Sequence, residues 1–174
     1  VNYKYFEKLC SLNLSKKYIY ISTLDTQNHS VNSTYKNNKL KSEIYSKDFE
    51  NIKVIRLSYP FGYGQSEDRL LPKIIKKLKQ NSEIIINDFM IRITPIKLIN
   101  EKEIISNNLK FQNLTPLNCE LLSKVVYKLK KYLHSNSNII IENTNNIDPF
   151  DKLSHSLGNI DVDIFLKTLC YNYS

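Results

Sequence analysis

Two short apolar runs, separated by a polar and then helix-patterned stretch, constrain this chain most. Tyr18-Ile19-Tyr20-Ile21 is unbroken by polar residues and runs into Ser22-Thr23. Ile52 to Tyr59 is the second run, and it ends in Pro60-Phe61-Gly62-Tyr63-Gly64, whose proline and glycines break a strand into a turn. The continuous apolar character of Tyr18 to Ile21 predicts a strand buried on both faces, and Ile52 to Tyr59 reads as the next strand. The residues between are too many for a hairpin. Residues 24–34 are rich in Asn, Ser and Thr and read as a loop. Ser33 or Thr34 is placed to cap a helix that reaches about Phe49. Asp68 is placed to cap a further helix from Arg69 to Gln80, with Pro72 tolerated in its first turn. Strand, helix, strand, helix in this order predicts a right-handed parallel α/β unit.

The flanking segments extend the pattern. Tyr3, Phe6, Leu9, Cys10 and Leu14 recur at helical spacing, so residues 3–14 read as an amphipathic helix. After Asn81 the composition shifts. Glu83 to Ile86 and Met90 to Ile96 read as short strands, Asn118 to Leu133 as a helix with Leu121, Leu122, Val125, Val126 and Leu129 on its apolar face, and Ile139 to Glu142 as a strand. Residues 143–151 read as a polar connector and 161–170 as a last helix. The expected organisation is an α/β part over residues 1–80 followed by a smaller α+β lobe over 81–174.

Composition excludes several classes. No apolar run approaches the ~20 residues that span a bilayer, and the first residues, Val-Asn-Tyr-Lys-Tyr-Phe-Glu-Lys, lack the apolar core of a secretory signal. The expected setting is the cytoplasm, with no membrane partner. Cys10, Cys119 and Cys170 are widely spaced and odd in number, which argues against a disulfide framework. His29, His134 and His155 show no ligand spacing; they read as solvated surface histidines, and no metal site is expected. The net charge of +8 raises nucleic acid as a partner. The basic residues are mostly lysines spread along helix faces, with only Arg56, Arg69 and Arg92 as arginines, and neither an aromatic platform nor a recognition helix accompanies them. Nucleic acid is therefore not an expected partner.

Chemistry concentrates near the first strand. A helix sets residues i and i+4 one turn apart on one face, so Lys39 lies beside Tyr35. A phenol with a pKa near 10 is a poor base, and an adjacent ammonium favours the phenolate. Tyr35 is then suited to exchange a proton with a substrate hydroxyl or carbonyl, with Thr23 or Ser22 holding the same oxygen. Hydride transfer would fall to a nicotinamide, since no side chain accepts it. The spacing alone is unspecific. With 12 tyrosines and 25 basic residues, three of them arginine, chance yields about 1.5 such pairs. Tyr127 and Lys131 form a second one, read as the solvated edge of a packing helix. Context singles out Tyr35, which follows a strand ending in Ser-Thr and precedes a strand ending in Pro-Phe-Gly.

With those residues in place, the chain resembles the extended short-chain dehydrogenase/reductases, the NAD-dependent epimerase/dehydratase family. Tyr18 to Thr23 resembles the family's strand leading to its Ser/Thr, Tyr35 and Lys39 its catalytic pair with Glu43 behind them, and Val54 to Gly64 its next strand and turn. The Leu70 to Gln80 helix and the Ile84-Ile85-Ile86 strand follow in family order, so the likeness is good over residues 1–100 and looser beyond. The resemblance implies an incomplete Rossmann-like parallel sheet followed by a smaller α+β substrate lobe, NAD or NADP as cofactor, and a nucleotide sugar as substrate. It implies that Tyr35 and Lys39 also touch the cofactor, Lys39 at the nicotinamide ribose, and that Pro60 and Phe61 line the nicotinamide side. Arg92 resembles the arginine that binds the sugar nucleotide's phosphate, which a planar guanidinium suits; its other reading is a surface ion pair.

The departures from the family are informative. Gly62, Gly64 and Gly158 are the only glycines, so the glycine-rich turn that holds a dinucleotide's pyrophosphate is absent. The sequence resembles the C-terminal part of a longer protein. The loop from Thr23 to Tyr35 is short for the family, and Leu24-Asp25 replaces the acidic pair of its dehydratases, leaving epimerization or keto reduction. The expectation is an enzyme part acting on a nucleotide sugar, completed by upstream sequence, a complementary N-terminal polypeptide or a homodimer. The alternative is a catalytically inactive fragment or subunit of such an enzyme.

Overall fold

The structure, a computed structural model, describes residues 3–12, 16–28, 32–106, 108–150, 152–153 and 157–173. In chain order its elements begin α1 (Tyr3–Leu12), β1 (Tyr18–Thr23), α2 (Thr34–Ser46), β2 (Ile52–Leu57), β3 (Pro60–Phe61), α3 (Leu70–Lys79) and β4 (Ile84–Ile91). There follow β5 (Thr94–Pro95), α4 (Glu101–Ser106), β6 (Phe111–Leu114), β7 (Glu120–Leu121), α5 (Leu122–Tyr132), β8 (Ile139–Asn145) and α6 (Val162–Tyr173). The chain is an α/β protein with a parallel sheet and a second, mixed sheet. It divides into two compact units that interleave in sequence. Unit one comprises residues 1–58, 100–115 and 149–156, and unit two residues 59–99, 116–148 and 157–174. A single boundary at residue 80 does not describe this division, because β6 returns to unit one to pair with β2.

Unit one is built on the parallel sheet β1-β2-β6, in register from Tyr18 opposite Ile52 to Thr23 opposite Leu57, and from Val54 opposite Phe111 to Leu57 opposite Leu114. Side chains alternate across a strand, so Tyr18, Tyr20, Ile52, Val54 and Phe111 share one face. Phe6 and Cys10 of α1 and Tyr45 of α2 pack on it together with Phe49. The rings interlock, with Phe6 and Tyr20 centroids 4.3 Å apart and Tyr45 and Phe49 5.0 Å apart. The opposite face is covered over β2, where Ile55 is fully buried, but not over β1, where Ile19 and Ile21 are 40% and 46% exposed. The expectation that β1 is buried on both faces is thus corrected. An unbroken apolar run does not say whether anything covers its second face; the layers present decide that.

Unit two centres on β4, parallel to β8 from Ile84 opposite Ile139 and antiparallel to β7 at Met90 opposite Leu121. Helices α3, α5 and α6 bury Ile75, Leu78, Val125, Leu129 and Leu166 against it, and Phe61 joins this core, edge-on to Phe165 at 5.8 Å. The two strands expected at 83–86 and 90–96 form one strand as far as Ile91. The polar interruption that suggested a break has partners: Asn87 accepts from Asn143 at 2.9 Å, and buried Asp88 accepts from the Ser123 amide at 2.7 Å and its hydroxyl at 2.6 Å. Asp88 thereby caps α5 from a neighbouring strand, where the local N-cap, Leu121, has no side-chain acceptor. That helix starts at Leu122 rather than Asn118, because Glu120 and Leu121 pair with β4. The connector expected from 143 is strand as far as Asn145, and β6 was not legible at all.

Ser33 caps α2 as expected, accepting from the Lys36 amide at 3.2 Å. Asp68 does not cap α3. The N-cap is Arg69, without a side-chain bond, since a turn closed by the Arg69 amide on the Ser66 carbonyl sets the helix start one residue later. Residues 24–27, expected as loop, form a single 3-10 turn. His134 is exposed, as expected; His29 and His155, and the Leu14 end of the first helix, lie outside the described residues. No helix among the described residues is long and apolar enough to cross a membrane, and no cluster among them has the makings of a metal site.

Candidate functional site

The expected catalytic residues of unit one meet where the C-terminal end of β1 passes the first turns of α2. Tyr35, Lys39 and Glu43 succeed one another at i+4 intervals, and the helix grades them by depth: Tyr35 is 54% exposed, Lys39 half-buried and Glu43 fully buried. Lys39 Nζ donates to the Ile21 carbonyl at 2.6 Å and stands 4.8 Å from the Tyr20 ring and 5.8 Å from the Tyr35 ring. Burial lowers the Lys39 pKa, and the Glu43 carboxylate partly restores it. The ammonium is therefore held in place against β1, with one aromatic ring on the protein side and the Tyr35 ring on the exposed side.

The two hydroxyls at the end of β1 have different environments. Thr23 caps the 3-10 turn, its hydroxyl accepting from the Asp25 amide at 3.3 Å and donating to the Asp25 carboxylate at 3.0 Å. Ser22 is buried and donates to Glu43 at 2.6 Å. Glu43 is the hub of a network the sequence reading did not anticipate. It accepts from Thr26 at 2.9 Å and pairs with both Nε and Nη2 of Arg56, at 3.1 and 2.7 Å. Arg56 reaches on to Asn113 at 3.4 Å and lies 5.1 Å from the Phe111 ring. A signal for it existed: Arg56 is one of three arginines in a lysine-rich chain and interrupts an apolar strand. A bidentate guanidinium–carboxylate pair is what such a position accommodates.

The remaining expected site residues belong to unit two. Pro60 is half-buried, its carbonyl accepting from Gln65 at 2.9 Å, and β3 pairs with β5 at Thr94 and Pro95. Phe61 is fully buried in the apolar core. Arg92 is buried as well. It donates to the carbonyls of Pro116, at 3.0 Å, and Leu117, and forms an ion pair with Asp148. Cys119 donates to the same Asp148 carboxylate at 3.2 Å, and burial together with that contact pushes its thiol up to about 11. Of the two readings of Arg92, the ion pair is the contact it makes in this structure, but it is buried rather than at the surface. Asp148 carried no signal in the sequence, because 56 residues separate it from Arg92.

No protein-family model matches the sequence, and no curated protein does. Solved structures match closely in fold. UDP-N-acetylglucosamine 4-epimerase from Methanobrevibacter ruminantium, in complex with UDP-N-acetylmuramic acid, is 16% identical with a TM-score of 0.72, covering 98% of this chain and 67% of that one. dTDP-glucose 4,6-dehydratase from Bacillus anthracis, in complex with NAD, is 12% identical with a TM-score of 0.69, covering 98% and 66%. UDP-glucuronic acid 4-epimerase from Bacillus cereus, in complex with NAD, is 17% identical with a TM-score of 0.65, covering 95% and 63%. The chain thus spans about two thirds of the length of these proteins. Over nearly all of its own length it matches, as a part rather than the whole, the fold of the NAD-dependent epimerase/dehydratases, the extended short-chain dehydrogenase/reductases.

Proposed function

We propose that this chain is the proton-transfer portion of an NAD(P)-dependent enzyme that epimerizes or reduces a nucleotide sugar. The observation that carries this reading is the placement of Lys39, held by the Ile21 carbonyl beside the exposed Tyr35 and next to Ser22-Thr23. The residues present suit the reactive end of a dinucleotide. They do not suit its pyrophosphate, because three scattered glycines cannot make the close-approach turn that a pyrophosphate requires. A bound nicotinamide would supply the hydride acceptor or donor. The chain's own part is to move the proton. The Tyr35 phenol takes it from, or returns it to, the sugar oxygen. The Lys39 ammonium stabilises the phenolate, and its burial keeps water from screening that effect. Thr23 is the hydroxyl proposed to hold the sugar oxygen, by exchanging its bond to the half-buried Asp25 carboxylate for one to that oxygen, whereas the Ser22 bond to fully buried Glu43 is part of the ion-pair network.

Pro60 and Phe61 are proposed to back the nicotinamide side, Phe61 from the core rather than by contact. Arg92 takes a phosphate only by exchanging Asp148 for it. The absent pyrophosphate turn supports a second reading, in which the 174 residues are inactive without a complementary segment or subunit.

The test is turnover of UDP-sugars with NAD or NADP by the native protein from its source cell, beside a Tyr35→Phe variant. Under the proposal the variant keeps substrate binding and loses turnover by ~100-fold or more. Equal turnover in both refutes it.

A further inference from the structure

One buried carboxylate in unit one is tied to both Thr23 and Lys39. Glu43 is 2% exposed. Its Oε1 accepts from the Ser22 hydroxyl at 2.6 Å and from the Thr26 hydroxyl at 2.9 Å. Those two residues flank Thr23 in the chain, one before it and one after. Thr26 shares its proton with the Thr23 carbonyl at 2.9 Å, so Thr23 is braced toward Glu43 from both sides. On α2 the same carboxylate lies one turn from Lys39, whose ammonium donates to the Ile21 carbonyl at 2.6 Å. Consecutive residues of β1, Ile21 and Ser22, are thus bonded to residues one turn apart on α2. Two such bonds set the height of the helix against the strand.

Stability alone does not call for this arrangement. Arg56 of β2 makes the burial tolerable, with Nε and Nη2 donating to Glu43 at 3.1 and 2.7 Å. A buried ion pair can nevertheless be replaced by apolar side chains of similar volume with little loss, and often with gain. The polar hub therefore has work to do at the site it underlies. The groups that face the Lys39 ammonium are the Tyr20 ring from β1 and, on α2, the Tyr35 ring and Glu43, with Arg56 behind Glu43. Glu43 is the carboxylate among them. Burial lowers the Lys39 pKa, and Glu43 works against that lowering. The bonds from Ser22, Thr26 and Arg56, together with its depth, keep Glu43 itself from reaching a substrate.

We propose that Glu43 is the positioning residue of this site: it clamps Thr23 through Ser22 and Thr26, and it sets its carboxylate against the Lys39 ammonium so that the charge stays beside Tyr35. The inference rests on the proton-transfer reading above for the roles of Thr23 and Lys39. It makes Ser22 a brace rather than a reacting hydroxyl.

The test separates positioning from stability with two paired variants. Glu43→Leu/Arg56→Met removes the charges and the acceptor of both hydroxyls. Glu43→Gln/Arg56→Met removes the charges and keeps an acceptor oxygen for Ser22 and Thr26; it carries the test if the apolar pair does not fold. Each is compared with the native protein by urea unfolding, by NMR titration of the Lys39 ammonium, assigned from the signal that Lys39→Arg loses, and by turnover of UDP-sugars with NAD or NADP. Both variants should unfold within ~1 M urea of the native protein. In both, Lys39 should titrate ~0.5–1 pH unit lower, because the opposing carboxylate has gone. Turnover should fall ~100-fold in the apolar pair and ~10-fold in the glutamine pair, which keeps the Thr23 brace, with KM within ~3-fold of native in both. A Lys39 titration unmoved in a folded variant overturns the proposal. So does native kcat in the apolar pair, or a loss carried by KM alone, which would assign Glu43 to substrate binding. The Lys39 titration needs neither substrate nor cofactor. A native protein without turnover whose Lys39 shifts as expected fails the catalytic reading and supports the Lys39 arm of the proposal. Turnover lost in Tyr35→Phe with Lys39 unmoved in the paired variants fails the proposal and leaves that reading standing.

Discussion

Truncating Glu43 to alanine tests the network beneath the site most directly. The Glu43 and Arg56 side chains are 3% and 13% exposed, so the ion pair is shielded from water. Removing the carboxylate leaves the Arg56 guanidinium with only the 3.4 Å bond to Asn113 among its polar contacts described above. Breaking a buried pair from one side costs ~3–5 kcal/mol, chiefly because the surviving charge stays buried. Ser22 also loses its 2.6 Å acceptor, adding ~1 kcal/mol, whereas Thr26 keeps its bond to the Thr23 carbonyl at 2.9 Å. The expected loss is ~4–6 kcal/mol, a large share of the ~5–15 kcal/mol that holds a typical domain together. With a urea dependence of ~2 kcal/mol per molar, the unfolding midpoint should fall by ~2–3 M. The paired replacement Glu43→Leu/Arg56→Met removes both charges at similar volume and should recover most of that loss. A Glu43→Ala midpoint shift below ~0.5 M would refute the reasoning, since it would price the pair like an exposed one. So would a double variant no more stable than the single.

Further outcomes concern unit two and alkaline pH. Asp88→Ala strips the α5 N-terminus of its acceptor and should destabilise by ~1–2 kcal/mol, with Asp88→Asn recovering part of it, as read by urea unfolding. Burial raises the Cys119 and Cys170 thiols from 9.0 to about 11, so between those values the unfolded chain has released protons that the folded chain retains. Stability should therefore fall as pH rises from 9 to 11 and be unaffected by these thiols below 9. A Cys119→Ala/Cys170→Ala variant should show a shallower alkaline decline in Tm, and an unchanged decline would refute the assignment. The native chain should also resist thiol reagents at pH 8 until unfolded.

Local pattern was enough to determine much of this protein. The apolar runs at 18–21 and 52–59, the Ser33 cap and the i+4 relation of Tyr35, Lys39 and Glu43 are properties of neighbouring residues, and backbone periodicity converts them into strands, a helix and one helix face. The family likeness was legible for the same reason, since its motif is compact in sequence. What tertiary structure alone decided are the relations between residues far apart in the chain: Arg56 with Glu43 and Asn113, Arg92 with Asp148, Asp88 with the start of α5, and β6 beside β2. Each side chain in these pairs has an ordinary alternative in solvent, so nothing local distinguishes it. Burial makes the pairing obligatory, because a charge or amide taken out of water must find a partner. The open face of β1 is the same lesson in reverse, for an apolar run records that a strand expects cover and only the packed layers show which side has it.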